Sequence, residues 1–394
     1  MSADSKSQHL LSVMVVDDSA VYRKILTGVL EDIPGVHIVG TAANGRLALE
    51  RMERLRPQAV LLDVEMPEMN GLETLEKIRS VFPTVGVVMI SSMGKRAVDT
   101  TVAALEKGAI DFITKPDGES PEENHKTLVE RLSPILWTFN TKRTLASVRQ
   151  KHQHSYQSSV AHAPTTVSPT DVLKQPTKPP RSALMITAAP RPVAPPAIQK
   201  VEAVLIGVST GGPNALGVVI PALPKDLGVP VLIVQHMPPV FTASLAKSLE
   251  KKSRLAVVEA EEGQIIEAGT VYIAPGGKHM VVRREKDGGR YAVGLNENPP
   301  ENSCRPAVDV LFRSAAALYG GGTLSVIMTG MGQDGLNGVK ALKQRGGRCL
   351  TQDEATCTIY GMPLAVDRAG LSDESLPLNL LADRIAKIVK DSRR

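Results

Sequence analysis

The stretch VLIGVSTGGP, residues 204–213, ends a short apolar run in a turn of small residues that presents one hydroxyl, Ser209. Glycines on both sides of the serine let the backbone turn sharply and come close to a bound group, while Pro213 fits the first turn of a following helix without losing a needed N–H. G-x-S-x-G at a strand–turn–helix junction is one way in which hydrolases expose a serine nucleophile, with backbone N–H groups of the helix start beside it for an oxyanion. An anion-binding glycine turn has the same outline, so the motif by itself leaves both readings open.

A serine nucleophile needs a base, and two histidines follow it, His236 and His279. His236 comes directly after the apolar run VLIVQ, which puts it at the same strand edge as Ser209 and makes it the preferred base. His279 sits in the turn PGGKH, where closing a ribbon is the simpler role. Asp334, in TGMGQDG after the apolar run LSVIM, is the candidate to orient the imidazole, although read singly it is an ordinary helix N-cap. Three turns after three parallel strands, each delivering one member, favour a Ser209–His236–Asp334 triad. Its chain order, Ser, His, Asp, differs from that of the α/β hydrolases.

A second group of chemically loaded residues lies nearer the N-terminus. Apolar runs alternate with amphipathic stretches from residue 11 onward, and five short runs separated by helical stretches predict a doubly wound, five-stranded parallel sheet. Such a sheet gathers its site at the carboxyl ends of the strands. Asp17 and Asp18 follow the first strand, Asp63 the third, Ser91 ends the fourth and Lys115 follows the fifth. Three converging carboxylates repel one another unless a hard cation lies between them, and an all-oxygen donor set suits Mg²⁺.

Through VVDDS, LLDVEMPEMNGLE, ISSM and GAIDFITKP this first unit resembles the receiver domains of two-component response regulators. The resemblance implies that Asp63 accepts a phosphoryl group from a histidine kinase and that Asp17, Asp18, Asp63 and the backbone carbonyl of Glu65 hold Mg²⁺. It further implies that Ser91 and Lys115 contact the phosphoryl oxygens, and that Phe112 is the aromatic whose position follows phosphorylation.

Beyond residue 200 the pattern resumes, with strands expected at 203–208, 229–235 and 323–328. Shorter runs near 257, 271–273, 280–282 and 291–295 read as small antiparallel ribbons. A doubly wound mixed α/β domain with a mainly parallel sheet is expected. Through IGVSTGGP, QHMPPVFTASLA, VYIAPGGKHM, RPAVDVLFRSAA, MTGMGQDG and YGMPLAV this unit resembles the catalytic domain of chemotaxis protein-glutamate methylesterases, the CheB family.

The implied activity is hydrolysis of glutamate methyl esters on chemoreceptor cytoplasmic domains, with deamidation of receptor glutamines by the same acyl chemistry. The N–H of Met331 is the implied oxyanion donor, Thr210 lines the site, and the esterase itself calls for no cofactor. A receiver ahead of a hydrolase implies occlusion relieved by phosphorylation. Gln333 stands where asparagine is familiar in the family. A non-catalytic, phosphorylation-dependent binding protein is the alternative reading.

The layout expected is a receiver over 10–147, a linker over 148–200 and a methylesterase domain over 201–394. Between 151 and 200 six basic residues face Asp171 alone, and nine prolines fall between 161 and 200. The chain's formal charge of +5 therefore belongs to this segment, which reads as a solvated spacer and not as a nucleic-acid surface. Cys304, Cys349 and Cys357 form no C-x-x-C pair, and 42% hydrophobic with 22% charged residues is ordinary globular material. No leader and no long apolar run is evident, so a cytoplasmic protein without direct membrane insertion is expected.

Overall fold

Residues 10–118, 120–160, 199–285 and 289–393 are described by the structure, a computed structural model. The alternating runs of the N-terminal part form β1 (Leu11–Val16), α1 (Ala20–Glu31), β2 (Val36–Ala42), α2 (Gly45–Leu55), β3 (Ala59–Asp63), α3 (Gly71–Val81), β4 (Gly86–Ser91), α4 (Lys95–Glu106), β5 (Asp111–Thr114) and α5 (Pro121–Val160). The sheet is parallel throughout, in the order β2-β1-β3-β4-β5. Every residue of β3 and β4 is buried, which is why both read as unbroken apolar runs instead of alternating ones. The order reverses between β1 and β3, and the crevice outside their carboxyl ends is where such a sheet places its chemistry.

Local side chains set the helix starts. Ser19 caps α1 by accepting the Tyr22 N–H, and Asn70 with Glu73 makes a reciprocal capping box on α3. Asp17 and Asp18 are therefore left outside the α1 cap, so helix capping does not account for both acids.

The C-terminal part runs β6 (Ala203–Val208), α6 (Gly212–Ala222), β7 (Val231–Gln235), α7 (Phe241–Glu250), β8 (Ala256–Glu259), β9 (Thr270–Ile273), β10 (His279–Arg284) and β11 (Tyr291–Asn296). It continues through α8 (Val308–Tyr319), β12 (Thr323–Ile327), α9 (Leu336–Gln344), β13 (Arg348–Gln352), α10 (Met362–Arg368), β14 (Glu374–Leu376) and α11 (Leu378–Asp391). Seven strands form one parallel sheet in the order β14-β13-β12-β6-β7-β9-β8, and β10 pairs with β11 in a separate antiparallel ribbon.

One expectation is corrected here, and two strands go beyond it. The runs near 257 and 271–273 are β8 and β9, parallel strands at one edge of the main sheet and not antiparallel ribbons. They are too short to distinguish the two arrangements by pattern. At the other edge β13 and β14 extend the sheet by two strands that the apolar pattern does not announce.

By internal contacts the chain divides into a body of residues 1–140 with 199–394, and a second unit of 141–198. The part of that second unit that is described is the continuation of α5 to Val160. Helix thus occupies 148–160 of the expected linker, and 161–198 lie outside the described residues. No described helix is long and apolar enough to cross a membrane.

Within the body, the helices over the two sheets share one apolar core. Ala97, Val98 and Val102 of α4 belong to the same buried cluster as Phe241, Leu245 and Leu249 of α7. Polar contacts flank this seam: Ser244 donates to Asp99 at 2.6 Å, Ser248 donates to Glu106 at 2.7 Å, and Lys252 pairs with Glu106.

Candidate active site and phosphoacceptor pocket

Ser209 follows β6 directly. Its N–H donates to the Thr329 carbonyl at 3.0 Å, and its own carbonyl accepts from Gly212 N–H at 2.7 Å and Gln235 Nε2 at 3.0 Å. The serine backbone is thus pinned to the end of β12, the start of α6 and the end of β7. Gly211 holds φ +76°, and a Cβ there would lie 2.3 Å from Thr358 Oγ1. A Cβ on Gly330 would lie 2.8 Å from that of Ser209. Gly211 is required by its positive φ and the Thr358 side chain against it, and Gly330 by its close approach to Ser209.

His236 follows β7, whose last residue, Gln235, is in register with Val208. Ser209 and His236 are therefore neighbours along one sheet edge. His236 Nε2 lies 2.8 Å from Asp334 Oδ2, and both side chains are nearly sealed from solvent, at 11% and 2% exposed. Asp334 also accepts from Val308 N–H at 2.6 Å, Asp309 N–H at 3.0 Å, Gly335 N–H at 3.0 Å and Asn302 Nδ2 at 2.9 Å. Val308 and Asp309 open α8, so the carboxylate sits at a helix N-terminus.

Burial opposes the Asp334 charge, but the hydrogen bond and charge of His236 and these amides outweigh it and hold the carboxyl below its usual range. Burial also opposes the imidazolium of His236, yet Asp334 and Cys304 raise its pKa to about 9. The second ring nitrogen, Nδ1, faces Cys304 Sγ at 3.4 Å. Among the described residues Ser209 Oγ makes no hydrogen bond to the ring. His279 is saturated elsewhere, with Nδ1 accepting from Ala307 N–H at 3.2 Å and Nε2 donating to the Pro299 carbonyl at 3.1 Å. The structure thus brings Ser209, His236 and Asp334 to one edge and gives His279 a structural role.

The two residues expected beside the oxyanion are engaged by the N-terminal part. Thr210 Oγ1 donates to Asp111 Oδ2 at 2.6 Å, and burial of Asp111 pushes its carboxyl up to about 6. Met331 packs against the cluster that contains Leu128 and Leu132 of α5. Phe112, next to Asp111, stacks against Phe241 with ring centroids 4.4 Å apart.

In the first sheet, carboxylate oxygens of Asp17, Asp18 and Asp63 come within 4.8 Å of one another. Lys115 Nζ bridges Asp17 Oδ2 and Asp63 Oδ2 at 3.0 Å each. Burial pushes Asp63 up to about 6; Lys115 opposes this, while Asp17 and Asp18 add to it. Burial disfavours the Lys115 charge, but the two carboxylates outweigh that and hold its pKa above the ordinary value. Two buried carboxylates bridged by one lysine, with the exposed Asp18 beside them, leave net negative charge at the pocket, and the donors are all oxygen, so the residues fit Mg²⁺.

The other residues expected at this pocket have identified partners. Ser91 Oγ accepts from Thr101 at 2.7 Å and donates to the Ser92 carbonyl at 3.0 Å. The Glu65 side chain takes the Ser92 hydroxyl at 3.1 Å.

Comparison with known proteins is consistent across the chain. Residues 204–385 match the CheB methylesterase family, and residues 13–125 match the response regulator receiver domain. A protein-glutamate methylesterase/protein-glutamine glutaminase of Desulfotalea psychrophila is 42% identical over 381 residues, covering 96% of this chain and 99% of its own. One of the same name from Geobacillus kaustophilus is 41% identical over 380 residues, covering 96% and 99%. The crystal structure of the Thermotoga maritima CheB methylesterase catalytic domain is 41% identical and covers 48% of this chain and 100% of its own, with a TM-score of 0.47.

Proposed function

The chain belongs to the CheB family of protein-glutamate methylesterases/protein-glutamine glutaminases, a methylesterase domain behind a response-regulator receiver, and from that premise we propose that Ser209, His236 and Asp334 carry the hydrolysis while phosphorylation of Asp63 controls it. The substrates proposed are glutamate methyl esters, and secondarily glutamines, on chemoreceptor cytoplasmic domains. The observation that carries the catalytic part is the buried His236–Asp334 pair at 2.8 Å beside the pinned serine turn.

Because the carboxylate only accepts, the proton between Asp334 and the ring sits on Nε2. The neutral ring then offers its lone pair at Nδ1. His236 Nδ1 takes the Ser209 proton as Oγ attacks the γ-carbonyl, Asp334 steadies the imidazolium that results, and the ring returns the proton to the departing methoxy oxygen as methanol leaves. Water, deprotonated by the same nitrogen, then cleaves the acyl-enzyme. The backbone N–H groups of Met331 and Thr210 have no acceptor among the described residues, which suits them to the oxyanion. Serine and base need only approach each other in the substrate complex, since such bonds are often long before substrate binds.

In the receiver, Asp63 is the proposed phosphoacceptor, and the carboxylates of Asp17, Asp18 and Asp63 with the Glu65 carbonyl would hold Mg²⁺. When bound, Mg²⁺ supplies positive charge against the phosphoryl oxygens. Lys115 already sits between the two buried acids, and Ser91 has to withdraw its O–H from the Ser92 carbonyl to donate to a phosphoryl oxygen. A histidine kinase is the proposed donor.

Asp111, Phe112 and α5 engage Thr210, Phe241 and Met331, which supports a receiver that closes the substrate approach until phosphorylation alters its α4–β5–α5 face. The test is methanol release from methylated receptor cytoplasmic fragments: release by the intact chain that disappears in Ser209→Ala supports the hydrolase, and equal release by the variant removes it.

A further inference from the structure

The tight turn of residues 301–304 touches both members of the base–acid pair, and we infer that it clamps them in the resting enzyme, Asn302 on Asp334 and Cys304 on the one nitrogen of His236 that Ser209 has to use. The inference rests on the proposed roles of Ser209, His236 and Asp334 and adds two positioning residues to them.

The turn is closed by a backbone pair, with Glu301 N–H donating to the Cys304 carbonyl at 3.1 Å and Cys304 N–H to the Glu301 carbonyl at 2.9 Å. Its two central residues, Asn302 and Ser303, hold φ of +52° and +61° without being glycines. That backbone is unfavourable and persists only where surrounding contacts offset it. Those contacts are present. Arg313 of α8 grips Glu301 through two bonds of 2.6 Å. Asn302 Nδ2 donates to Asp334 Oδ1 at 2.9 Å and reaches Asp309 Oδ2 at 3.2 Å, joining two buried acids that would otherwise repel. The far end of the turn sets Cys304 Sγ 3.4 Å from His236 Nδ1.

Below its pKa of about 9 the ring carries a proton on each nitrogen and Nδ1–H faces the Cys304 sulfur as acceptor; in the neutral ring that acts as base, Nε2–H stays with Asp334, Nδ1 carries the lone pair, and the Cys304 S–H is the donor that faces it. Ser209 Oγ–H must occupy the same position to lose its proton, so thiol and nucleophile compete for one lone pair. A thiol is a weak donor. It can hold the ring in place at rest and still yield when a seated substrate drives the serine toward the base. Cys304 thus withholds the base without blocking it permanently.

The experiment uses the intact protein with Mg²⁺, a small acyl phosphate as donor and a methylated receptor fragment as substrate. Cys304→Ala removes the competing donor and is expected to raise kcat about 3- to 10-fold, the scale of one neutral hydrogen bond, with KM unchanged. Cys304→Ser keeps a donor and is expected to stay near the parent. In protein carrying ¹⁵N-histidine, the His236 Nδ1 signal moves in Cys304→Ala and stays in Cys304→Ser.

Cys304→Val removes the donor while keeping a branched side chain in the space, so whichever of the Ala and Val variants unfolds cooperatively like the parent decides the matter. A donor-less variant with parental or lower kcat and an unmoved Nδ1 signal overturns the clamp, leaving Cys304 as a space-filler. If the parent itself releases no methanol, the hydrolase reading fails separately, and the nitrogen signals still test the contact.

Discussion

Asp63 and Asp334 both lie at the carboxyl edge of a parallel sheet, and both are nearly sealed from solvent, at 3% and 2% exposure. Their surroundings are opposite. Asp334 receives a ring nitrogen, a side-chain amide and three backbone N–H groups, and its carboxyl is held below the usual range. Asp63 has Lys115 against it but shares that lysine with Asp17, and burial pushes it up to about 6. The first carboxylate has its acceptor capacity filled by the fold; the second is short of positive charge. The same placement at a sheet edge therefore yields a fully partnered anion in one half and a pocket short of positive charge in the other, which suits the orienting and phosphoacceptor roles proposed for them.

Exchanging each acid for its amide separates the two edges most severely. Asp334→Asn keeps the shape but presents N–H where the ring needs an acceptor, so kcat for methanol release should fall about 1,000- to 10,000-fold. Incorporation of label from a radioactive phosphodonor should be unchanged in that variant. Asp63→Asn should do the reverse, abolishing incorporation and leaving the unstimulated release rate intact. Cross-effects of equal size would mean that the two edges are not separate sites.

Chelation of divalent cations sharpens the same contrast. Phosphoryl incorporation should drop by roughly 100-fold when charge neutralisation at Asp63 is withdrawn, while unstimulated methanol release changes less than about twofold.

pH reads the His236–Asp334 pair. Only the neutral imidazole accepts the serine proton, and its pKa is raised to about 9. The rate should therefore climb about tenfold per pH unit below that value and level off above it. A rate already flat between pH 7 and 9 would mean that the pair does not set the base. The stability linkage has the same sign: the folded chain holds this proton more tightly than the unfolded one, so the contribution is complete below the ordinary histidine value and is lost as pH rises through about 9.

The smallest expected effect concerns the seam between the halves. Asp111→Ala removes the acceptor for Thr210, and unphosphorylated methanol release should rise about 3- to 10-fold, the scale of one buried hydrogen bond. An unchanged rate would confine the closing contact to the apolar part around Phe112 and Phe241.

Much of this was legible in the sequence. Apolar runs ended by Asp17, Asp63, Ser209 and His236 marked both sheet edges, because a doubly wound sheet buries its strands and puts its polar residues at their ends. β13 and β14 were not legible. Thr351 and Gln352 are polar yet fully buried, satisfied by bonds to Asp367, Ser372 and the Thr329 N–H that no periodicity reports. The roles of Asn302 and Cys304 escaped for a related reason, since their partners are 32 and 68 residues away. The Asn-Ser pair before Cys304 was the available hint of a tight turn. The Asp111–Thr210 bond spans 99 residues and joins two halves whose apolar patterns are independent of each other.

The measurement that bears most directly on the account is the initial rate of methanol release from a methylated receptor fragment by the intact chain, with and without a small phosphodonor and Mg²⁺. The rate is expected to rise on phosphorylation, to fail to rise in Asp63→Asn and to vanish in Ser209→Ala. Receptor binding without any methanol release, under either condition, would contradict the account and leave a phosphorylation-dependent binding protein in its place.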